Sequence, residues 1–413
     1  MRPLLFLFAL ALIAQDHVPG RLLVKPKPNE TRANIQALIR SQQAEVEREI
    51  PEIRVLVLKV PEQARDRVAE ALTRSNRFEY VEPDYIGKPH AVVPNDPLYP
   101  NQWHLGRIGA PQAWAITKGS AQIPIAILDS GVDGTHPDLN GKLLSGWNIQ
   151  TNTTDTHDVG CYVGHGTATA GTAAAIGGNG VGIASVAWLN PIIPVAGVWG
   201  TPTTCFGSYS GWAIAMNWAV NHGARVMSLS GGGFTSSATL QSAVDYAWSK
   251  GVLLVASAGN EANANPVYPA ATNHVIGVAA TTQADTAASF SSYGSWIFLS
   301  APGTPIYTTQ KGGTYGNWWG TSFSAPMVAG AVALLISAKP TLTPQQIRDL
   351  LKQNADDLGP AGFDIHFGWG RVNIGRALAA AATQPFTPTC NVAAQSSSGA
   401  ASATCTATGL RIP

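Results

Sequence analysis

From about Trp103 onward the sequence predicts an α/β fold: a mostly parallel sheet with helices on both faces, preceded by a small α+β unit. Two observations lead there. Apolar strand-length runs such as Ile123–Leu128, Ala224–Leu229 and Val252–Ala256 alternate with helix-length segments, the pattern of helical crossovers between buried parallel strands. Charge also changes along the chain. Residues 1–91 hold 14 of the 26 Lys and Arg and 12 of the 25 Asp and Glu, whereas Glu261 is the only Glu beyond position 91. A charge-dense first part and a charge-poor second part imply two folding units, and 413 residues exceed one ordinary domain.

The elements follow in order. Met1-Arg2 and the apolar run Leu4 to Ala14 have the form of a short secretory signal, with cuts after Ala11 or Ala14 both compatible, and domain bounds of 1–14 and 15–91 follow. The alternative is a buried first strand. Arg21–Val24, Val55–Leu58 and Phe78–Val81 read as strands, and Thr31–Glu49 and Glu62–Ser75 as helices, the first with apolar Ile35, Leu38 and Ile39. Tyr85–Pro100 is a Pro-rich linker and an accessible cutting site.

In the second unit (92–385), Ile123–Leu128 ends in Asp129-Ser130-Gly131. Helices are expected over His165–Ala175, Tyr209–Asn221, Ser237–Lys250, Thr343–Gln353 and Asn373–Ala382, with further strands at Val275–Ala280 and Trp296–Leu299. Ligands in such sheets gather at the carboxyl ends of strands, where Asp129 lies. Gly320 opens an uncharged helix whose residues Ala329, Gly330, Ala331 and Ala333 require close neighbours, with Pro326 placed in the first turn, where amides lack intrahelical partners. Residues 386–413 form a Ser/Ala/Thr-rich tail.

Composition excludes some classes. A net charge of +1 without a basic run argues against nucleic acid and membrane surfaces, and no segment after the N-terminus reads as a membrane span. Four cysteines in an exported chain pair by position as Cys161–Cys205 and Cys390–Cys405, although three connectivities are possible. Either bridge contributes about 3–4 kcal/mol in the loop-entropy account. Neither pair has zinc spacing, and no His-Glu-x-x-His occurs.

Three short motifs carry chemistry: Asp129-Ser130-Gly131, Gly164-His165-Gly166-Thr167 and Gly320-Thr321-Ser322. Each alone is weak. A strand end, a helix start and a serine N-cap account for them separately. Together they supply a carboxylate, an imidazole and a hydroxyl, the groups needed to move an acyl group onto a serine.

With these motifs the chain resembles the subtilisin-like serine proteases, most of all the thermitase branch, over roughly residues 94–380. The resemblance also rests on Asn95-Asp96-Pro97, Ala110-Pro111-Gln112-Ala113-Trp114, His136-Pro137-Asp138-Leu139 and Ser257-Ala258-Gly259-Asn260. It implies that Asp129 orients His165, that His165 is the base, that Ser322 attacks, and that Asn260 is the oxyanion-hole side chain. It places the substrate groove along Ser228-Leu229-Ser230-Gly231 and Ala256-Ser257-Ala258-Gly259, with room for an apolar side chain before the scissile bond. Glu261 beside that pocket is either a solvated rim charge or a group that attracts a base. The unit at 20–85, ending Val81-Glu82-Pro83-Asp84-Tyr85, resembles the family's inhibitory propeptide, cut between Ile86 and Pro94.

The resemblance further implies a structural Ca²⁺ held by Asp96, Asp138, Ile176, Asn179, Val181 and Ile183, mostly through backbone carbonyls; hard Ca²⁺ suits such oxygen ligands. Asp155 and Asp158 are candidates for a second site. The expected protein is a secreted, monomeric, self-processed endopeptidase acting on proteins and peptides. A non-catalytic peptide binder on the same groove would lack a triad member, yet all three are present. A third reading puts the function in the tail after Pro385. Three departures from the family pattern stand out: Ala168 replaces a common His, Cys161 lies four residues before His165, and Phe323 replaces an oxidisable Met after the nucleophile.

Overall fold

The computed structural model describes residues 17–383 apart from 88–89, 160–161, 163 and 202. The segments expected as signal and tail, with Cys161, Cys390 and Cys405, lie outside the described residues. The chain divides into two compact units between residues 89 and 90.

The first unit comprises β1 His17–Pro26, α1 Arg32–Ser41, β2 Glu45–Ile50, β3 Val55–Lys59, α2 Arg65–Arg74 and β4 Phe78–Tyr85. The strands form a sheet in the order β2-β3-β1-β4, with neighbours antiparallel. Ile35 and Ile39 of α1 and Val68 and Leu72 of α2 are buried with Leu22, Val24 and Leu58 in one core. The helix expected over Thr31–Glu49 stops at Ser41, because Gln43 takes a left-handed φ of 57° and the chain turns into β2. The sequence Glu45-Val46-Glu47-Arg48-Glu49 is a good helix former by propensity, but pairing with the free edge of β3 prevails.

The second unit contains α3 Trp103–Arg107, α4 Ala110–Trp114, β5 Ile125–Asp129, β6 Trp147–Asn148, α5 His165–Ala174, β7 Ile192–Ala196, β8 Trp199–Thr201 and β9 Thr204–Phe206. It continues with α6 Tyr209–Asn221, β10 Val226–Leu229, α7 Ala238–Ser249, β11 Leu253–Ser257, β12 Ile276–Thr282 and β13 Leu299–Thr304. β14 Ile306–Gln310, β15 Thr314–Trp318, α8 Thr321–Ala338, α9 Pro344–Gln353 and α10 Ile374–Thr383 complete it. The main sheet is parallel throughout, in the order β13-β12-β11-β10-β5-β7-β6. Strand order reverses at β5 and β10, so the crevice at their carboxyl ends is the place where such a sheet accepts a ligand.

Alternation along the strands explains the layers. Ile125 and Ile127 of β5, with Val226, Leu253 and Val255, face the core that contains α5, α8, α9 and α10. Ala126, Leu128, Met227, Leu254 and Ala256 face α6 and α7 on the other side. Helix α8 is long and apolar enough to cross a membrane by length and composition, but 89% of that stretch is buried within the fold. Its small residues allow this depth: a Cβ on Gly330 would stand 2.8 Å from Val186 Cβ and 2.9 Å from the Ala173 carbonyl of α5.

Three further sequence expectations change, and one strand was not expected. The strand expected at Trp296–Leu299 begins at Leu299, where pairing with Val278 starts. The linker at Tyr85–Pro100 ends earlier, since the Val92 N–H donates to Pro111 O at 2.9 Å and the Leu98 N–H to Gly182 O at 2.8 Å. Strand β7 was hidden by Pro194, tolerated because β6 pairs only with Val195 and Ala196. Pro326 sits six residues into α8, not in the first turn; the Ser322 carbonyl that its missing N–H leaves free accepts from Ser230 Oγ at 2.8 Å.

Candidate active site

Asp129 closes the buried strand β5 and keeps only 4% of its surface exposed. Its Oδ1 accepts from the Ser130 N–H at 2.8 Å, and its Oδ2 from Thr169 Oγ1 at 3.3 Å. His165 is the first residue of α5, behind Gly164, whose φ of 105° favours glycine. The imidazole Nδ1 lies 2.9 and 3.0 Å from the two Asp129 oxygens. That contact fixes the ring and leaves the proton-accepting role to Nε2.

Asp158, a candidate for a second metal site by sequence, is a fully buried carboxylate. It belongs to this site instead. Its Oδ1 accepts from Ser130 Oγ at 3.0 Å, and its Oδ2 from the Thr167 N–H at 3.0 Å and Thr167 Oγ1 at 2.6 Å. Ser130 Oγ in turn accepts from the Gly166 N–H at 2.9 Å. The free amides at the start of α5 are thus bound by residues from outside the helix. Burial lowers the His165 pKa and is the largest single effect. The charge and hydrogen bond of Asp129 and the charge of Asp158 together outweigh it, so the imidazole ends above its ordinary value. The signal for Asp158 in the sequence was slight, an acidic residue seven positions before the histidine.

Ser322 is the second residue of α8, whose N-cap is Gly320 with φ 136° and no side-chain cap. The Thr321 N–H donates to Asn260 Oδ1 at 2.9 Å, and Thr321 Oγ1 donates to the same oxygen at 3.0 Å. With its oxygen held, Asn260 presents its amide nitrogen. A Cβ on Gly320 would stand 3.4 Å from Asn260 Nδ2 and 3.6 Å from Ser322 N, so both donors border one small space. His165 and Ser322 line the same cleft, with no direct hydrogen bond between them among the described residues.

One half of that cleft, about 330 Å³, is lined by Leu229, Ser230 and Gly231 on one side and Ser257 and Gly259 on the other. Ser228, Ala256 and Ala258, expected in the same segments, are buried and do not line it. Trp212, Phe234 and Val267, which sequence reasoning missed, do. Glu261 also lines it and accepts from Ser292 Oγ at 3.0 Å. Cys205 borders it without a free thiol.

Among the described residues no three His, Cys, Asp or Glu gather as a metal cluster. Asp96 and Asp138 nevertheless meet one loop. Asp96 accepts from the Gly178 N–H at 2.6 Å, and Asp138 from Asn179 Nδ2 at 3.1 Å and the Ile183 N–H at 2.8 Å. Both carboxylates are almost wholly buried without a cationic side chain, and the carbonyls of Ile176 and Val181 accept no backbone hydrogen bond among the described residues. Burial raises the Asp96 pKa, backbone N–H groups oppose this, and Asp138's like charge adds to it. An oxygen-rich pair of uncompensated carboxylates fits a hard divalent cation.

A doubly wound parallel sheet with Asp, His and Ser at one crevice defines a serine endopeptidase of the subtilisin-like class. The Subtilase family model matches residues 120–370, and a fervidolysin N-terminal prodomain model matches residues 11–84. Thermitase of Thermoactinomyces vulgaris is 40% identical over 287 residues, 69% of this chain and 99% of that protein. The thermophilic serine proteinase of Bacillus sp. strain AK1 is 39% identical over 309 residues, 75% of this chain and 74% of its own length. The crystal structure of fervidolysin from Fervidobacterium pennivorans superposes with a TM-score of 0.63 at 31% identity, covering 88% of this chain and 61% of that one. The chain belongs to the subtilase family and carries a prodomain.

Two outcomes follow from this geometry. Asp158→Asn removes a charge that raises the His165 pKa, and a base must be neutral to accept a proton. The acid limb of kcat/KM against pH is therefore expected to move to lower pH; an unmoved limb refutes the coupling. Phe323 is 1% exposed with its ring centroid 5.7 Å from that of His165, and Met216, Met227 and Met327 are fully buried. Activity is expected to survive peroxide that oxidises an exposed methionine. Rapid inactivation without oxidation of those three residues by mass spectrometry contradicts this.

Proposed function

We propose that this chain is a secreted endopeptidase precursor that hydrolyses peptide bonds through an acyl-enzyme on Ser322. The observation that carries the reading is a single cleft bordered by His165 on Asp129, by Ser322, and by the two donors Asn260 Nδ2 and Ser322 N. Ser322 Oγ attacks the scissile carbonyl while His165 Nε2 takes the hydroxyl proton. Asp129 stabilises the imidazolium, and the two N–H donors stabilise the oxyanion. His165 then protonates the leaving amine, and water repeats the sequence to release the acid. An extended substrate adds to the strand ends at Leu229–Gly231 and Ser257–Gly259, and the small linings there favour an apolar side chain before the scissile bond.

The unit at 20–85 serves as intramolecular inhibitor and folding aid and is removed between Ile86 and Pro94. The mature enzyme acts as a monomer outside the cell, with no nucleic-acid partner. A Cys161–Cys205 bridge braces the cleft rim; the non-free thiol of Cys205 supports this. Asp96, Asp138, Asn179 and the carbonyls of Ile176, Val181 and Ile183 hold a structural Ca²⁺, whose charge offsets two buried carboxylates.

Two experiments test the reading. Ser322→Ala is expected to abolish both precursor processing and casein hydrolysis, by about 10⁴-fold or more; unchanged activity refutes it. Chelation is expected to lower the thermal unfolding midpoint of Ser322→Ala protein, with about 2–3 kcal/mol at stake for a cation at a hundred times its Kd. In Asp138→Asn protein chelation should have no such effect, and an equal chelator response in both proteins refutes the site.

A further inference from the structure

The cleft has a second half, about 630 Å³, on the other side of His165, Asn260 and Ser322. It shares none of the strand-end segments that line the first half. Its additional lining comes from Phe323 of α8 and from Gln310, Lys311, Asn317, Trp318 and Trp319, on the β14–β15 hairpin and the residue after it. If the first half receives the acyl side of a peptide, as proposed above, this half receives the leaving-group side. The inference below rests on that reading.

Among the described residues, Lys311 is the only Lys, Arg, Asp or Glu that lines this half. No carboxylate lines it, and Lys311 makes no ion pair among the described residues. The first half carries the opposite sign at Glu261. The position of Lys311 is set by its surroundings. Gly312 N–H donates to Asp133 Oδ2 at 2.8 Å, His136 Nε2 lies 2.9 Å from Thr314 O, and Thr309 Oγ1 donates to Thr167 O at 2.7 Å. A Cβ on Gly164 would stand 3.3 Å from Lys311 N, so the turn is seated beside the residue that precedes His165. The hairpin pairs from Ile306↔Trp318 to Gln310↔Thr314, which keeps the lysine at its tip and the tryptophan at its base on one cleft wall.

We propose that Lys311 makes the leaving-group half selective for a substrate carboxylate, an Asp or Glu side chain one or two residues after the scissile bond. The amides of Gln310 and Asn317 add donors, and the indoles of Trp318 and Trp319 supply apolar walls that reduce hydration around the pair. The cleft is open to water, so the preference is modest, in the range of exposed ion pairs.

The test uses internally quenched peptides with a fixed acyl half and Asp, Asn, Glu, Gln or Lys at the first and second positions after the cut. The mature enzyme is expected to show a kcat/KM ratio of about two- to fivefold for Asp over Asn or Glu over Gln at one of these positions, shrinking at high salt. Lys311→Gln should bring that ratio to one, Lys311→Glu should invert it in favour of Lys, and Lys311→Arg should keep it. Because each ratio is taken within one protein, a general loss of activity does not mimic the effect. Equal rates for Asp and Asn and for Glu and Gln in the unaltered enzyme, or a ratio that persists in Lys311→Gln, overturn the inference. Hydrolysis that persists in Ser322→Ala overturns the proposed function instead.

Discussion

Amides at the start of α5 and α8 are bound by side chains from other parts of the chain, and the whole site depends on that constraint. Both helices begin at a glycine with positive φ and have no side-chain cap of their own. Three other helices of this unit are built differently: α6, α7 and α9 are capped by Ser208, Ser237 and Thr343. A local cap stabilises one helix. A cap from elsewhere also fixes the helix start against another element, and so fixes the side chains that stand there.

At α8 the borrowed partner is Asn260. Thr321 uses its N–H and its hydroxyl on one oxygen of that side chain, which turns the amide nitrogen towards the space beside the Ser322 N–H. At α5 the partners are Ser130, next to Asp129, and the buried Asp158. The same residues that cap the helix therefore sit beside the carboxylate that holds His165. Buried charge that costs desolvation energy is repaid here by several hydrogen bonds from neutral donors.

Much of this was legible in one dimension. Alternating apolar runs gave the parallel sheet, and the Gly-flanked Asp129, His165 and Ser322 motifs located the site. The misreadings have specific causes. Glu45–Ile50 has helical propensity and becomes a strand because β3 has a free edge. Pro194 disguised a central strand, because the shortness of its neighbour β6 is not visible locally. Pro326 looked like a first-turn proline until Ser230, far away in the chain, proved to satisfy the carbonyl it leaves free. Trp212, Phe234 and Val267 carry no motif, and only packing brings them to the cleft.

The sequence by itself determined the class of fold, the chemical groups available and the order in which the chain presents them, since these depend on residue type and local period. Tertiary structure alone decided what surrounds each carboxylate, and so set Asp158 apart from a metal candidate. Asp129, Asp158, Asp96 and Asp138 are all buried aspartates. One holds an imidazole, one caps the helix that carries it, and two accept N–H donors from the Gly178–Ile183 loop. Their surroundings come from segments distant in the chain, and a carboxylate's role is set by what surrounds it.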